Sequence, residues 1–129
     1  MPILHLVLVT KYRRPVLTTT MLKYLGKVIA NILIDWRGRL IEFGGEADHV
    51  HLLIEIHPAL NISTLIYNIK SASSRRIRNR FATRIANYYW KPPFWNRAYY
   101  VGSVGSVTLE SIRRYVEQQN TKSRSEPTA

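Results

Sequence analysis

The sequence predicts an α+β fold: a ferredoxin-like β-α-β-β-α-β sandwich with an antiparallel sheet and an additional C-terminal helix. Three observations lead to this prediction. Apolar and polar residues alternate between Asp48 and His57, as they do on a half-buried strand. In two other segments apolar residues recur every three to four positions, which is typical of amphipathic helices. The chain has 129 residues, the length of one domain, which we expect to cover residues 1–120 before a polar tail at 121–129.

The first strand and the first helix are predicted from the N-terminal part of the chain. Ile3–Tyr12 is rich in Val, Leu and Ile, which is typical of a central strand, and Pro15 closes it. Three threonines then offer N-cap oxygens for a helix. Its apolar residues keep helical spacing from Met21 to Trp36, and Gly38 ends it.

An antiparallel hairpin is predicted next. Arg39–Gly45 forms its first strand, and Glu46-Ala47-Asp48 turns the chain into the second. Alternate side chains of a strand share a face, so the apolar set should pack on the core and the polar set should point away from it. The apolar set is Val50, Leu52, Ile54 and Ile56, and the other set is His49, His51, Leu53, Glu55 and His57.

A second helix is predicted after Pro58, which ends the hairpin. Asn61 is a suitable N-cap, and apolar residues keep helical spacing from Ile62 to Ala72. The later turns, Ser71–Arg84, lose the apolar stripe and carry Arg on several faces. They are typical of a solvated helix end that faces a polyanion.

The remaining segments complete the predicted order. Ala86–Trp95 is aromatic, contains two prolines and is predicted to be partly extended. Asn96–Val104 resembles a fourth strand that Gly102 interrupts. Gly105 then breaks the chain before a third helix over Thr108–Asn120.

The charge of the chain is strongly positive. Nineteen Lys and Arg stand against eight Asp and Glu, which gives a net charge of +11. Such a surface is typical of nucleic-acid binding, while a generic basic surface or a patch for anionic membranes is the alternative. No acidic residue lies between Glu55 and Glu110, where the basic residues are Lys70, Arg75, Arg76, Arg78, Arg80, Arg84, Lys91 and Arg97.

Composition also excludes several classes of protein. The chain has no cysteine, so it has neither a disulfide framework nor a thiolate zinc site. The N-terminus lacks the pattern of a signal peptide, and no apolar run is long enough to span a membrane. We therefore expect a cytoplasmic protein without a membrane partner.

His49 and His51 lie one pleat apart and can together hold one metal ion or one phosphate. Histidines packed in a sheet are the alternative interpretation. Asp48 adds weight to a metal site, because a carboxylate can orient an imidazole. His5 lies inside an apolar strand, which favours packing. His57 stands eight residues after His49, which at ~3.3 Å per residue is too far to share one ion.

Tyr115 and Gln119 stand four residues apart, so both project from one face of the predicted third helix. Core packing of the tyrosine and solvation of the glutamine are the alternatives. A phenol close to a metal-bound phosphodiester can act as a nucleophile. Two imidazoles and an amide oxygen suit Mn²⁺ or Mg²⁺. No Gly-rich phosphate loop is present, so we expect no nucleotide cofactor.

Five pieces of the sequence together carry a family resemblance. They are HLVLVTKYRRPVL, EADHVHLLIEIHP, KSASSRRIRNRF, FWNRAYYVGSVG and IRRYVEQQ. With Asp-His-hydrophobic-His in a hairpin and Tyr-x-x-x-Gln on a terminal helix, the chain resembles the single-tyrosine HUH transposases of the TnpA type, from insertion sequence 200-like elements. Ser71 follows Lys70 where the family often has Gly, which bears only on the local approach of the backbone to DNA.

The resemblance implies a DNA transposase that cleaves and rejoins single-stranded DNA, in a prokaryotic cell and associated with the nucleoid when it acts. His49, His51 and Gln119 would bind the divalent metal, and Tyr115 would attack the strand, leaving a 5′-phosphotyrosine and a free 3′-OH. The family recognises imperfect hairpins at the ends of mobile elements. It works as a homodimer that pairs strands across the subunit boundary and can place each tyrosine helix against the histidines of the other subunit.

Other residues suit contacts with a DNA hairpin, although each basic residue could equally be a plain surface charge. Gly102 and Gly105 could form a hinge for the tyrosine helix or only a tight turn. The aromatic residues that could stack on unpaired bases, or instead anchor their segment in the core, are Tyr88, Tyr89, Trp90, Phe94 and Trp95. The candidate phosphate contacts are Lys11, Arg13 and Arg14 after the first strand and Lys70, Arg75, Arg78 and Arg84 on or past the second helix.

Two other functions stay open. A domesticated relative would keep the chemistry and act on dispersed genomic palindromes. A non-catalytic RNA-binding module on the same sheet would need stacking aromatics on the central strands, where the sequence has histidines and aliphatic residues. Such a module should also be indifferent to a metal chelator.

Overall fold

The computed structural model describes residues 1–104 of the chain. The predicted third helix and polar tail, and with them Gly105, Tyr115 and Gln119, lie outside the described residues. The described elements are β1 Ile3–Thr10, α1 Thr19–Asp35, β2 Arg39–Glu46, β3 His49–Glu55, α2 Ile62–Arg80, α3 Ala82–Ala86 and β4 Trp95–Val104.

The four strands form one antiparallel sheet in the order β2-β3-β1-β4. This is the strand order of the ferredoxin-like sandwich, so the predicted fold class is confirmed. β1 and β3 are the central strands, and β2 and β4 are the edges. No helix among residues 1–104 combines the length and the apolar character needed to cross a membrane.

Both long helices pack on one face of the sheet. α1 begins where the Thr18 hydroxyl accepts a hydrogen bond from Met21 N (3.2 Å), and α2 begins where Asn61 Oδ1 accepts one from Thr64 N (3.0 Å). The core therefore lies between the helices and the inward-facing side chains of the central strands, as the alternation predicted. Its fully buried members include Leu6, Leu8, Val50, Leu52, Ile54, Leu25, Ile29, Leu33, Leu65 and Ile69.

β1 ends at Thr10, two residues before the predicted end at Tyr12. Lys11–Arg13 forms a short 3₁₀ turn instead, and Tyr12 (φ 59°) and Arg13 (φ 53°) both adopt the left-handed conformation. Residues with that conformation cannot continue a pleated strand, because a strand requires φ near −120°. The strand propensity of Tyr12 is thus overridden by the turn.

The hairpin of β2 and β3 is antiparallel as predicted, but Glu46 belongs to β2 and pairs with His49, so the turn is Ala47-Asp48 rather than Glu46-Ala47-Asp48. Gly45 explains how closely its strands approach, because a Cβ atom there would lie 2.5 Å from the carbonyl oxygen of His49. β3 ends at Glu55, so His57 lies beyond the strand rather than on its polar face as predicted.

The segment that follows α2 differs from prediction. The helix ends at Arg80 rather than Arg84, because Phe81 (φ −121°, ψ 39°) leaves the helical conformation, and the short α3 follows. Residues 87–94 form turns and bends with no strand, so the predicted extended structure is wrong up to Trp95, where β4 begins.

β4 runs through Gly102 without interruption, and this glycine pairs with His5. The prediction of an interrupted strand is therefore wrong. A Cβ atom on Gly102 would lie 2.5 Å from the phenol oxygen of Tyr100, so the glycine leaves room for that ring. Residues 97–101 of this edge strand are exposed.

Candidate functional site

The face of β3 that points away from the helices carries His49 and His51. Their ring centroids are 6.2 Å apart, and the ring planes are inclined by 39°. Across the hairpin, His49 pairs with Glu46 and His51 pairs with Gly44. His51 is 2% exposed and the side chain of His49 is 15% exposed. We call this surface of the sheet the histidine face.

Asp48 orients His49. Its Oδ1 lies 2.8 Å from Nδ1 of the imidazole, and its Oδ2 lies 3.4 Å from Nη2 of Arg13. An ionised carboxylate can only accept hydrogen bonds, so Nδ1 carries the proton, and in the neutral ring Nε2 then keeps its lone pair. Histidines that bind metals are commonly held in this way by a carboxylate.

The other two histidines do not join the pair as further ligands. His5 packs in the sheet, as predicted: it is 8% exposed, and its ring meets that of Tyr100 edge to face at 5.8 Å. Burial, and secondarily the charge of His51, lower the pKa of His5 below its usual 6.5. His57 is exposed beyond the end of β3, where its Nδ1 accepts a hydrogen bond from Ala59 N (3.1 Å).

The donor atoms of the histidine face fit part of a metal centre. In the described part of the chain, no three or more His, Cys, Asp or Glu side chains are grouped to hold a metal ion. His49 and His51 supply two imidazoles, and Gln119, the predicted third ligand, lies outside the described residues. Imidazoles suit divalent transition ions, and oxygen ligands from an amide, water and phosphate would suit Mn²⁺ or Mg²⁺.

A second region lies along α2 and β4. A cavity of about 680 Å³ opens there, and we call it the α2–β4 groove. Tyr99 borders it and pairs with Leu8, whose side chain points to the helices, so the groove opens on the helix-covered side of the sheet. Among the described residues its lining contains no acidic side chain; the cations and aromatic rings in it are Lys70, Arg75, Arg78, Arg97, Tyr67, Trp95 and Tyr99.

The cations of the groove differ in how far they are already engaged. Lys70 Nζ donates hydrogen bonds to the carbonyl oxygens of Asn96 (2.8 Å) and Arg97 (3.0 Å), and burial lowers its pKa. Arg78 is different: among the described residues, its buried Nη1 has no hydrogen-bond partner. Arg78 also lines the groove, and a guanidinium has further N–H donors that can bind an anion there.

The remaining predicted DNA contacts lie elsewhere. Lys11, Arg13 and Arg14 surround the turn after β1, where Lys11 Nζ lies 5.2 Å from the ring centroid of Tyr12. Arg84 is anchored, since its Nε donates to the carbonyl oxygen of Val16 at 2.8 Å. The structure therefore brings Lys70, Arg75 and Arg78 together in one groove, and all seven DNA contacts stay predictions.

The aromatic residues of segment 86–95 were interpreted from the sequence either as stacking on bases or as anchors in the core, and the structure places some of them in the core and one at the surface. Tyr89, Phe94 and Trp95 are buried, and the indole nitrogen of Trp95 donates to the Ser73 hydroxyl at 3.0 Å. Trp90 is 98% exposed. Sequence reasoning did not single out Tyr67 and Tyr99 in the groove, although both interrupt apolar patterns. It also missed Ser73, whose role depends on a residue 22 positions away.

Comparison with known proteins shows that this chain is similar to transposases. The family model described as Transposase IS200 like matches residues 2–119. The transposase for insertion sequence element IS200 from Salmonella typhimurium is 32% identical over 116 residues, which cover 89% of this chain and 74% of that protein. The ISDra2 transposase TnpA of Deinococcus radiodurans is 29% identical over 118 residues, which cover 92% and 84% respectively.

Solved structures share the fold. A crystal structure of a Deinococcus radiodurans R1 protein assigned as a transposase superposes with a TM-score of 0.73 at 29% identity and covers 92% of both chains. A REP-associated tyrosine transposase bound to a REP hairpin superposes with a TM-score of 0.62 at 14% identity. That match covers 89% of this chain and 62% of the other, and at this identity it shows the fold alone.

Proposed function

The chain belongs to the IS200-like transposase family, and from this premise we propose that it cleaves and rejoins single-stranded DNA at hairpin-marked element ends through a 5′-phosphotyrosine intermediate. The observation that carries the proposal is the pair of imidazoles on β3. One of them, His49, is held by Asp48 at 2.8 Å so that Nε2 is left to bind a ligand.

His49 and His51, together with Gln119, would hold the divalent ion, Mg²⁺ or Mn²⁺. When bound, the ion would withdraw negative charge from the phosphoryl oxygens of the scissile phosphodiester. Asp48 keeps the ring of His49 in one tautomer, and burial limits the rotamers of His51. Both imidazoles are thereby positioned before the substrate arrives.

Tyr115 would be the nucleophile. Its phenol oxygen would attack the phosphorus, and the bond from phosphorus to the 3′ oxygen would break. The phenol proton would leave to a base, and the departing oxygen would end as a free 3′-OH. In rejoining, a 3′-OH would attack the phosphotyrosine and release the phenol. The phosphodiester energy is kept in the intermediate, so the reaction would require no nucleotide cofactor.

The α2–β4 groove supports a DNA partner. Arg75, Arg78 and Arg97 offer guanidinium groups for phosphates, and Tyr67 and Tyr99 offer rings for bases. The REP-associated relative was solved bound to a REP hairpin, and a hairpin is the ligand that we propose here. Lys11, Arg13, Arg14, Lys70 and Arg84 are the further candidate contacts.

A homodimer is the proposed assembly. β4 is an edge strand of ten residues, free of proline, with Arg97 as its single charged side chain. Such an edge presents unpaired backbone groups that a second copy can pair with. Light scattering should give twice the chain mass of 15.0 kDa. A monomer at the concentrations that support cleavage would contradict this assembly. The glycines at 102 and 105 stay proposed hinge positions.

The test of the reaction is covalent capture of labelled single-stranded element ends, with and without chelator. The wild type should form an adduct that requires Mg²⁺ or Mn²⁺, and Tyr115→Phe should form none. The chain has eight tyrosines, so a matched control is needed. Tyr12→Phe, which alters a tyrosine that is 71% exposed, should retain the adduct. An adduct in Tyr115→Phe would show that another residue is the nucleophile.

A further inference from the structure

We propose that Arg13 is a positioning residue for His49. Arg13 Nη2 lies 3.4 Å from Oδ2 of Asp48, and Oδ1 of the same carboxylate lies 2.8 Å from Nδ1 of His49. Within residues 1–104, each carboxylate oxygen thus has one side-chain partner, the guanidinium on one side and the imidazole on the other. Arg13 holds Asp48 in the rotamer that fixes the tautomer and the orientation of the His49 ring.

The backbone places Arg13 there. Tyr12 (φ 59°) and Arg13 (φ 53°) are two consecutive left-handed residues, neither of which is glycine. This conformation is uncommon for such residues and persists only where the surrounding structure imposes it. The turn after β1 therefore reverses the chain sharply, and it does so beside Asp48.

Two connections join this part of the chain to the turn between β2 and β3. Thr10 N donates to the carbonyl oxygen of Asp48 at 3.0 Å, and the buried Thr10 hydroxyl lies 3.1 Å from the same oxygen and 2.8 Å from that of Arg14. Leu17 N donates to the carbonyl oxygen of Ala47 at 2.9 Å. These bonds lie before and after Arg13 in the chain, so its position next to Asp48 does not depend on the attraction between their charges.

This role differs from the phosphate contact predicted from the sequence. The side chain of Arg13 is 71% exposed, so its ion pair adds little to folding stability. The expected consequence of losing it is local: the carboxylate of Asp48 gains rotamers, and His49 loses its fixed partner. A pure phosphate contact would leave the metal-free, DNA-free protein unchanged. The inference rests on the proposed function only in treating His49 as a metal ligand.

The deciding measurement uses the full-length, metal-free protein labelled with ¹⁵N-histidine, at a pH where the imidazoles are neutral. Long-range ¹H–¹⁵N spectra give the ratio of the two ring tautomers, and the signals of His49 are those lost in His49→Asn. We expect Arg13→Gln to lower the proportion of the Nδ1–H tautomer relative to the other by about threefold or more. Arg14→Gln removes the same charge from the same turn and should leave the ratio unchanged. Equal ratios in wild type and Arg13→Gln would overturn the proposal.

A second readout is the affinity for Mn²⁺ alone, measured by electron paramagnetic resonance. Arg13→Gln should weaken binding by about three- to tenfold, less than the ~10–100-fold typical of a group bonded directly to a ligating histidine. In a protein that already carries Asp48→Asn, adding Arg13→Gln should not weaken Mn²⁺ binding further. If Arg13→Gln weakened Mn²⁺ binding equally with and without Asp48→Asn, Arg13 would not act through Asp48. If the wild type bound no Mn²⁺, the proposed metal centre would fail, while the tautomer ratio would still decide the role of Arg13.

Discussion

The histidine face and the α2–β4 groove lie on opposite sides of the same sheet. Two neighbouring residues of β4 point to these opposite sides, one to each region. Tyr99 pairs with Leu8 and borders the groove, where Lys70 Nζ lies 5.2 Å from its ring centroid. Tyr100 pairs with Val7 and meets His5 at 5.8 Å on the histidine face. The alternation of one strand therefore assigns one tyrosine to each region.

The two regions differ in burial and in charge. On the histidine face the residues His5 and His51 are 8% and 2% exposed, and burial disfavours the charged form of His5. The groove is open and contains guanidinium groups that stay charged. The first region is suited to holding an ion in fixed geometry, and the second to holding a polyanion. If this division is right, substitutions in one region should change cleavage and substitutions in the other should change binding.

The largest effect is expected from His49→Asn. It removes an imidazole whose ring is already oriented, so cleavage of single-stranded DNA should fall by about 100-fold or more. The dissociation constant for a DNA hairpin should change by less than about twofold, because the groove is intact. Cleavage rates at saturating DNA and a separate binding titration measure the two quantities. His57→Asn, on the exposed residue beyond β3, is the control. An equal loss of cleavage in His49→Asn and His57→Asn would mean that the histidine face has no specific role in cleavage.

Ser73→Ala tests the packing beneath the groove. The Ser73 hydroxyl accepts the hydrogen bond of the Trp95 indole at 3.0 Å, and its loss leaves a buried donor without a partner. The free energy of unfolding in urea should fall by about 1–3 kcal/mol. Ser71→Ala, on the less buried serine of the same helix, should change it by less than about 0.5 kcal/mol. Similar values for the two variants would mean that this bond adds nothing to stability.

Arg78→Gln tests the groove as the DNA interface. It removes a guanidinium that lines the groove, so hairpin binding should weaken by about tenfold, and the slope of log K against log salt should fall by about one. Cleavage at saturating DNA should be unchanged. Arg80→Gln removes the same charge from an exposed position on the same helix, where the guanidinium lies 5.4 Å from the ring of Tyr24. Binding that fell equally in both variants would indicate general electrostatics rather than a specific groove.

The smallest effect is expected from Trp90→Ala. This side chain is 98% exposed, so the free energy of unfolding should change by less than about 0.5 kcal/mol. If the ring stacks on an unpaired base, the DNA-induced quenching of tryptophan fluorescence should disappear in the variant. Quenching that persisted would have to come from Trp36 or Trp95, and stacking by Trp90 would then be wrong.

The fold was predictable because each element has a local signal. Leu52 and Ile54 alternate with His51 and Leu53, and a pleated strand must place such residues on opposite faces. The errors were at the ends of strands and helices, because contacts between distant segments decide where an element ends. Tyr12 has the propensity of a strand residue, but it lies in a turn over Lys11–Arg13 with φ 59°, and no local pattern in the sequence signals that turn.

The face of the central strands that points away from the helices bears on the RNA-binding alternative. Among the described residues of β1 and β3 this face carries no Phe, Tyr or Trp. The base-stacking platform that such a module needs is therefore not formed by these two strands. The side chains of β1 and β3 on this face are Ile3, His5, Val7, Val9, His49, His51, Leu53 and Glu55.

By itself the sequence determined which residues share a face. It put His49 and His51 together away from the core, because the period of a strand is a property of the local backbone. Only the tertiary structure decided which cations meet in a groove, which tryptophan is buried and which is exposed, and that Arg13 lies against Asp48. These outcomes depend on how segments far apart in the chain pack together, and no local period encodes that packing.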